Sequence, residues 1–346
     1  MTPPGALPGL CLVNFNICGL TGNKLAQLVT WLREHHFDGA VVTETKIVDD
    51  PADLYRRLPG TGALWPGTRF FHVPGTGHTG GVLVILGPHP SVSSATVFQP
   101  PTASPHDNRI LRLDLTVSSH PVSLLALYAP AQQADRAAFF SSTLPPFLPQ
   151  ASTALLVGGD FNCVLSGTLD CVYPSGIPPT HNSRLTGSSA LTSALILPLG
   201  LHDIWREAHP NTRDFTHFSA SAQSGARLDR WLVSPAFLRL FPSPSSSILP
   251  SCGTHSDHLP VSLSFPLPRP SATPSGRGLS GFPLFLLNMQ DAEAALSAFL
   301  KEHIDAFLQG DPASAVSRWD DLKEDIRLKS WVIYREHRRT RQAKEE

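Results

Sequence analysis

The run "LLVGGDFNCVL", Leu155 to Leu165, carries the first decision about this chain. Its apolar start reads as a buried strand, and the strand ends abruptly in Gly-Gly-Asp-Phe-Asn. Residues two apart in extended backbone point the same way, so Asp160 and Asn162 are expected to face one target together. A plain turn is the alternative, because Gly, Asp and Asn favour turns. The choice depends on what stands at the ends of the other strands.

Polar residues recur there. Asn16 closes "LCLVNFNI" at residues 10–17, and Glu44 lies at the end of "FDGAVVTET". Tyr128 lies near the end of "PVSLLALYAP", residues 121–130. Asp229 sits inside the strand-like "ARLDRWLVS", and "THSDHLP" sets Ser256, Asp257 and His258 just before a last strand, "LPVSLSF". Further strands are expected at "GGVLVIL", residues 80–86, and "RILRLDLTV", residues 109–117, the latter joined to 121–130 as a hairpin through "SSHP". Between them, Leu25, Leu28, Val29 and Leu32 recur at helical spacing. "ADRAAFFSSTLPPFL" reads as a short helix, as does Ser188–Leu197. The pattern is strand-rich without strict βαβ alternation. It predicts an α+β fold of two packed sheets with helices outside, a four-layer sandwich.

Composition narrows the class. The 346 residues are 41% apolar and carry a formal net charge of −1. There is no global basic field, so an anionic partner has to be held by a local patch or a metal ion. The five cysteines, Cys11, Cys18, Cys163, Cys171 and Cys252, form no CxxC pair and read as reduced thiols of an intracellular protein. No stretch approaches the roughly 20 apolar residues of a membrane span, and "MTPPGALPGL" lacks the features of a signal peptide. "PLPRPSATPSGRGLSGFP" reads as a linker. Beyond it, Leu296, Phe299, Leu300, Ile304, Phe307 and Leu308 form an expected apolar stripe. A second helical stretch carries Trp319, Leu322 and Ile326 and ends in a basic cluster, Arg335 to Lys344.

Taken singly, each polar residue has a structural explanation: Asn16 as a turn cap, Glu44 as a surface acid, Tyr128 as core with a wet hydroxyl, His258 as a loop histidine. Taken together they suit hydrolysis of a phosphate ester. Mg²⁺ needs hard oxygen ligands, and one carboxylate plus water and substrate oxygens suffices. The phosphoryl group needs donors for its developing charge, such as an amide, an imidazolium, a phenol or the metal. The attacking water needs a base or an orienting acceptor such as Asp, and a second Asp can hold a His in place. A nucleophile elbow GxSxG, a P-loop and HExxH are all missing from the sequence.

"NICGL", "TET", "GGVLVIL", "LYAP", "GDFN", "DFTHFS", "RLDRWLVS" and "SDHLPV" stand in the order of the endonuclease/exonuclease/phosphatase superfamily, which the chain resembles. "LHDIWREAHPNTRDFTHFS" is similar to the apurinic-endonuclease-like domain of LINE-type (non-LTR) retrotransposons. Trp319, Lys323, Ile326, Arg327 and Tyr334 before the Arg cluster resemble the segment that leads to a reverse transcriptase; that module is expected to be absent here, the sequence being a fragment, a truncated copy or a separate product. The resemblance implies an α/β/β/α domain over 8–266, a linker over 267–284 and a helical segment over 285–346.

It also implies roles. Glu44 would hold Mg²⁺ or Mn²⁺, with Asn16 beside it and Asp257 close to the metal and leaving group. Asp160 would activate or orient water, and Asn162 and Tyr128 would hold the scissile phosphate. His258 would contact the phosphate, oriented by Asp229. Thr216 and Ser256 would support the site or touch DNA. Arg184, Arg213, Arg227 and Arg230 are the nearby candidates for DNA phosphate contacts. The expected activity is a single-strand DNA nick leaving a 3′ hydroxyl, exerted in the nucleus. The alternatives are another phosphodiesterase or phosphatase of the superfamily, or a decayed copy that binds nucleic acid without cutting. The basic cluster has two readings, a solvated helix end or a binder of RNA or DNA. One departure stands out: Cys18 occupies a position that usually holds Asp, Asn or Arg, and a neutral thiol is a poor partner for Mg²⁺.

Overall fold

A computed structural model describes residues 9–56, 65–100, 107–173, 183–219, 224–268 and 289–308, and scattered positions from 319 to 333. The chain divides into two compact units, Met1–Ser271 and Ala272–Glu346.

In chain order the strands are β1 Gly9–Asn16, β2 Gly39–Thr43, β3 Arg69–Gly75, β4 Gly80–Leu86, β5 Val92–Val97, β6 Ile110–Val117, β7 His120–Tyr128 and β8 Ala154–Asp160. There follow β9 Cys171–Val172, β10 His202–Asp203, β11 His217–Ser219, β12 Ser224–Ala226, β13 Asp229–Val233, β14 Ser245–Ile248 and β15 Val261–Pro266. Two mixed six-stranded sheets result, β14-β15-β1-β2-β4-β3 and β10-β13-β8-β7-β6-β5, with a small third sheet β11-β12-β9. This is the expected α+β sandwich.

Alternation along the strands builds the layers. Leu12, Val84, Leu124, Leu156, Trp231 and Leu263 meet between the sheets. Their neighbours Val13, Val42 and Leu83 face outward onto Leu25, Leu28, Val29 and Leu32 of helix α1, Gly22–Glu34. On the other side Leu125 and Val157 pack on Phe139, Phe140 and Leu191 of the helical runs after β7 and after β9. Strands buried on both faces read as continuous apolar runs, which is why β4 and the first four residues of β8 are hydrophobic throughout.

The two glycines in "LLVGGD" are explained by close approach. A Cβ at Gly158 would overlap the Trp231 indole, and one at Gly159 would overlap the Leu127 carbonyl. The hairpin expected at "SSHP" is present, with Val117 paired to His120 across Ser118 and Ser119. Both serines have positive φ, 48° and 67°, as a two-residue turn matched to strand twist requires. Three edge strands carry no comparable signal in sequence. β5 is largely exposed, β3 is half-buried, and β14 reads "SSSI". Pairing with a neighbour, rather than apolar content, makes them strands.

The second unit contains a helix over Gln290–Leu308. Ala292 and Leu296 are buried and Phe299 stacks on His303, but Ile304 and Leu308 are exposed. The expected stripe is corrected there: the buried face runs through Ala292, Leu296 and Phe299 at spacings of four and three, and Ile304 and Leu308 fall outside it. Residues 269–284 of the expected linker, and the basic cluster Arg335 to Lys344, lie outside the described residues. No helix among the described residues is long and apolar enough to cross a membrane.

Gly158→Ala is expected to lower stability by about 1–3 kcal/mol through overpacking against Trp231. Urea unfolding measures it, and an unchanged midpoint would contradict the packing described.

Candidate active site

The polar strand ends converge because the register brings them level. Tyr128 pairs with Asp160 across β7 and β8, and Asp160 pairs with Asp229 across β8 and β13. In the other sheet Asn16 pairs with Thr43, one residue before Glu44. Asn16, Glu44, Tyr128, Asp160, Asn162, Asp229 and His258 therefore meet at one end of the sandwich, joined by direct contacts.

Asn16 is the link. Its amide nitrogen donates to Glu44 Oε2 and to Asp160 Oδ2, each at 2.9 Å. Its amide oxygen accepts from the Cys18 backbone N–H at 2.9 Å. The two carboxylates are acceptors only, which fixes the amide's orientation. Glu44 sits just past its strand at φ 55° and is ion-paired with Lys46 at 2.9 Å. Burial pushes its carboxyl up, but hydrogen bonds from Asn16, Lys46 and Tyr128 and the Lys46 charge outweigh that and hold it below the ordinary range. Burial, then the charges of Glu44 and Asp160, push the Tyr128 phenol well up, so it stays protonated and able to donate. The Arg109 guanidinium lies 4.8 Å from the Tyr128 ring centre.

Asp160 is buried, and burial together with the nearby Asp229 charge raises its carboxyl, against the opposing effects of His258, Asn16 and the Asn162 N–H. Asn162 departs from the extended geometry expected for it. The strand ends at Asp160, Asn162 has φ 49°, and its backbone N–H turns back to Asp160 Oδ1 at 2.8 Å. The segment is a turn, and the turn keeps both side chains at the site. Asn162 Nδ2 donates to the Ala129 carbonyl at 2.8 Å, leaving its second hydrogen without a partner among the described residues.

His258 Nδ1 meets Asp229 Oδ2 at 2.8 Å. Burial alone would lower the imidazole, but the Asp229 charge and hydrogen bond raise it to about 9. Asp229 is held in turn by Thr216, whose buried hydroxyl oxygen accepts from the N–H groups of Leu228 and Asp229 at 3.0 and 3.1 Å. Ser256 donates to the Asn16 carbonyl at 2.7 Å and accepts from the His258 N–H at 3.1 Å. Thr216 and Ser256 are therefore supports beneath the site. Asp257 stands at the rim, its side chain half-exposed and 3.4 Å from His217 Nε2.

Two arginines require correction. Arg227 and Arg230 are 1% and 0% exposed and do not reach a DNA backbone. Arg227 bonds Asp170 Oδ1 and Asp203 Oδ2, both at 2.8 Å, while Arg230 bonds the carbonyls of Cys163 and Arg227. Buried guanidinium groups need such partners; this ionic cluster braces the segment that leads into Asp229. Arg184 is half-buried and bonds Ser224, and Arg213, although exposed, donates to the Cys171 carbonyl.

Lys46, Arg109 and His217 belong to the neighbourhood and escape a sequence reading. Lys46 follows Glu44 by two in "TETK", the one local cue. Arg109 heads an apolar strand, and His217 is hidden in "FTHFS".

The donor set suits a hard divalent cation. Glu44, Asp160, Asp229 and Asp257 face Lys46 and His258, with Arg109 beside Tyr128, so four formal negative charges meet three positive ones. Asp229 Oδ1 is buried with no hydrogen-bond partner. Asp160, Asp229 and His258 each place a ligand atom within 4.8 Å of the others.

Residues 13–258 match the family model described as "Endonuclease/Exonuclease/phosphatase family". The "Transposon TX1 uncharacterized 149 kDa protein" of Xenopus laevis is 28% identical over 248 residues, 69% of this chain but only 17% of that relative. Among solved structures, an AP endonuclease from Archaeoglobus fulgidus has TM-score 0.55 at 20% identity, covering 74% of this chain and 99% of its own. A 3′ phosphatase from Neisseria bound to product DNA hairpin has TM-score 0.57 at 22% identity, with 74% and 99% coverage. The endonuclease domain of TRAS1, a telomere-specific non-LTR retrotransposon, has TM-score 0.50 at 16% identity, with 76% and 100% coverage. These structural likenesses speak to the fold.

Two outcomes follow from the contacts. The His258–Asp229 pair lifts the imidazole from 6.5 to about 9. Its stabilisation is fully present below the unfolded value and is lost as pH rises through the folded one. Stability against urea should therefore fall between about pH 7 and 10, and Asp229→Asn should flatten that fall; equal slopes would contradict the pairing. Arg227→Ala should cost about 3 kcal/mol, read by thermal or urea unfolding, because Asp170 loses a buried partner.

Proposed function

The chain belongs to the endonuclease/exonuclease/phosphatase family, and we propose that it is a metal-dependent endonuclease that nicks one strand of DNA and leaves a 3′ hydroxyl. The observation that carries this reading is the Asn16 bridge, which sets a metal-type carboxylate, Glu44, beside a water-orienting one, Asp160. Likeness to a transposon protein and to a non-LTR retrotransposon endonuclease domain supports DNA as the substrate.

Glu44, with Asp257 at the rim, would hold Mg²⁺ or Mn²⁺, and Asn16 would orient Glu44. A divalent cation held there would supply charge neutralisation at the phosphate and stabilisation of the leaving oxygen. Asp160 orients the attacking water and accepts its proton, a task suited to a carboxylate raised by burial. His258, charged and held by Asp229, donates to a non-bridging phosphate oxygen. The second amide hydrogen of Asn162 and the Tyr128 hydroxyl complete the cradle. Action on chromosomal DNA would place the protein in the nucleus.

Cys18 motivates the second reading, a folded copy without activity. The local geometry favours an intact site, because the contact that positions Asn16 comes from the Cys18 backbone N–H and not from its thiol. A phosphatase or phosphodiesterase acting on another ester remains the alternative within the family.

Supercoiled plasmid incubated with Mg²⁺ should relax to nicked circles, and EDTA or Glu44→Ala should abolish the product. Asp160→Asn should slow nicking by about 10²–10⁴-fold while the protein stays folded. Well-folded wild type that leaves plasmid intact would exclude the endonuclease reading.

A further inference from the structure

His217 stands outside the roles assigned so far. It opens β11, and an isolated antiparallel bridge pairs it with His258. The bridge is clamped on both sides. The Phe218 N–H donates to the Asp257 carbonyl at 3.1 Å, and the Leu259 N–H to the Thr216 carbonyl at 2.6 Å. Backbone bonds thus hold the two segments in register, and the side chains of His217 and His258 become cross-strand neighbours with ring centres 4.7 Å apart.

Asp257 completes a triangle. Its carboxylate lies 3.4 Å from His217 Nε2. Each of His217, Asp257 and His258 offers one ligand atom within 4.8 Å of the other two. His258 Nδ1 is taken by Asp229, which leaves Nε2 as the nitrogen available to a ligand. A carboxylate behind a ligating imidazole is the usual support of a histidine metal ligand. The Nδ1 of His217 is buried without a partner among the described residues. Two imidazoles and one carboxylate suit Zn²⁺ or Co²⁺, whereas Mg²⁺ prefers an all-oxygen shell.

We propose that His217, Asp257 and His258 form a second cation site, selective for Zn²⁺-class ions, at the mouth of the phosphate cradle, sharing Asp257 with the proposed Mg²⁺ site. Its occupant takes the imidazole that otherwise contacts the scissile phosphate. The site is therefore inhibitory: Zn²⁺ opposes hydrolysis that Mg²⁺ supports. The inhibitory consequence rests on the reading of His258 as a phosphate contact; the cation site itself rests on geometry alone.

The test separates the two. Co²⁺ is titrated into Glu44→Ala protein, which lacks the main carboxylate of the proposed Mg²⁺ site, and visible absorption is recorded. One equivalent should bind with the bands of nitrogen and oxygen ligands. Adding His217→Gln or His217→Phe to that background should weaken binding roughly tenfold or more, since even outer-shell losses reach that size. Equal Co²⁺ affinity with and without His217, no binding, or a sulfur-to-cobalt band abolished by Cys18→Ser would each overturn the proposal. In wild type, Zn²⁺ should suppress Mg²⁺-dependent nicking at concentrations at which His217→Gln still cuts. Failure of wild type to nick with Mg²⁺ alone would count against the endonuclease reading and leave the cobalt result standing.

Discussion

Everything at the open end of this sandwich depends on one amide. Asn16 belongs to one sheet, and its nitrogen ties Glu44 in that sheet to Asp160 in the other. Two residues earlier on the same face, Asn14 donates to the Gly159 carbonyl at 2.8 Å. The pair sutures β1 to β8 where the apolar interlayer gives way to polar groups. Both asparagines are almost fully buried, so their hydrogen bonds are formed in a low dielectric, where leaving either carboxylate without a donor would be costly. Two acids on opposing sheets would otherwise push the layers apart.

That constraint explains the charge layout. Glu44 is answered by Lys46, and Asp229 by His258, while Asp160 has hydrogen bonds but no cation in contact with it among the described residues. Such an acid is the one whose proton affinity rises, and the one suited to accept a proton from water. The remaining negative charge around Glu44 and Asp257 is what a divalent cation would neutralise. Beneath these groups, Thr216, Ser256 and the Arg227–Asp170–Asp203 cluster fix the backbone that carries Asp229 and His258.

Much of this was legible in the residues. The strand at Gly80–Leu86 has the boundaries read from sequence because both its faces are buried, and an uninterrupted apolar run cannot be misplaced by much. Polar residues at strand tips pointed to the site because burial would forbid them elsewhere on those strands. What sequence could not convey was set by partners distant along the chain. The edge strands β5 and β14 exist through pairing. Asn162 left the extended path because its own N–H turned back to Asp160. Arg227 reads in sequence as a phosphate contact, but its partners Asp170 and Asp203 bury it. His217 gained meaning only through a bridge to a segment far along the chain.

The central claim is that Asn16 makes Glu44 and Asp160 one unit. Single-turnover plasmid cleavage by Asn16→Ala, Asp160→Asn and the double variant, with Mg²⁺ and with unfolding curves to certify the fold, tests it most directly. Groups that act as a unit lose activity non-additively. The account predicts that Asn16→Ala alone slows cleavage by about 100-fold or more and that the double variant is hardly slower than Asp160→Asn. Wild-type cleavage by Asn16→Ala, or losses that simply multiply, would contradict it.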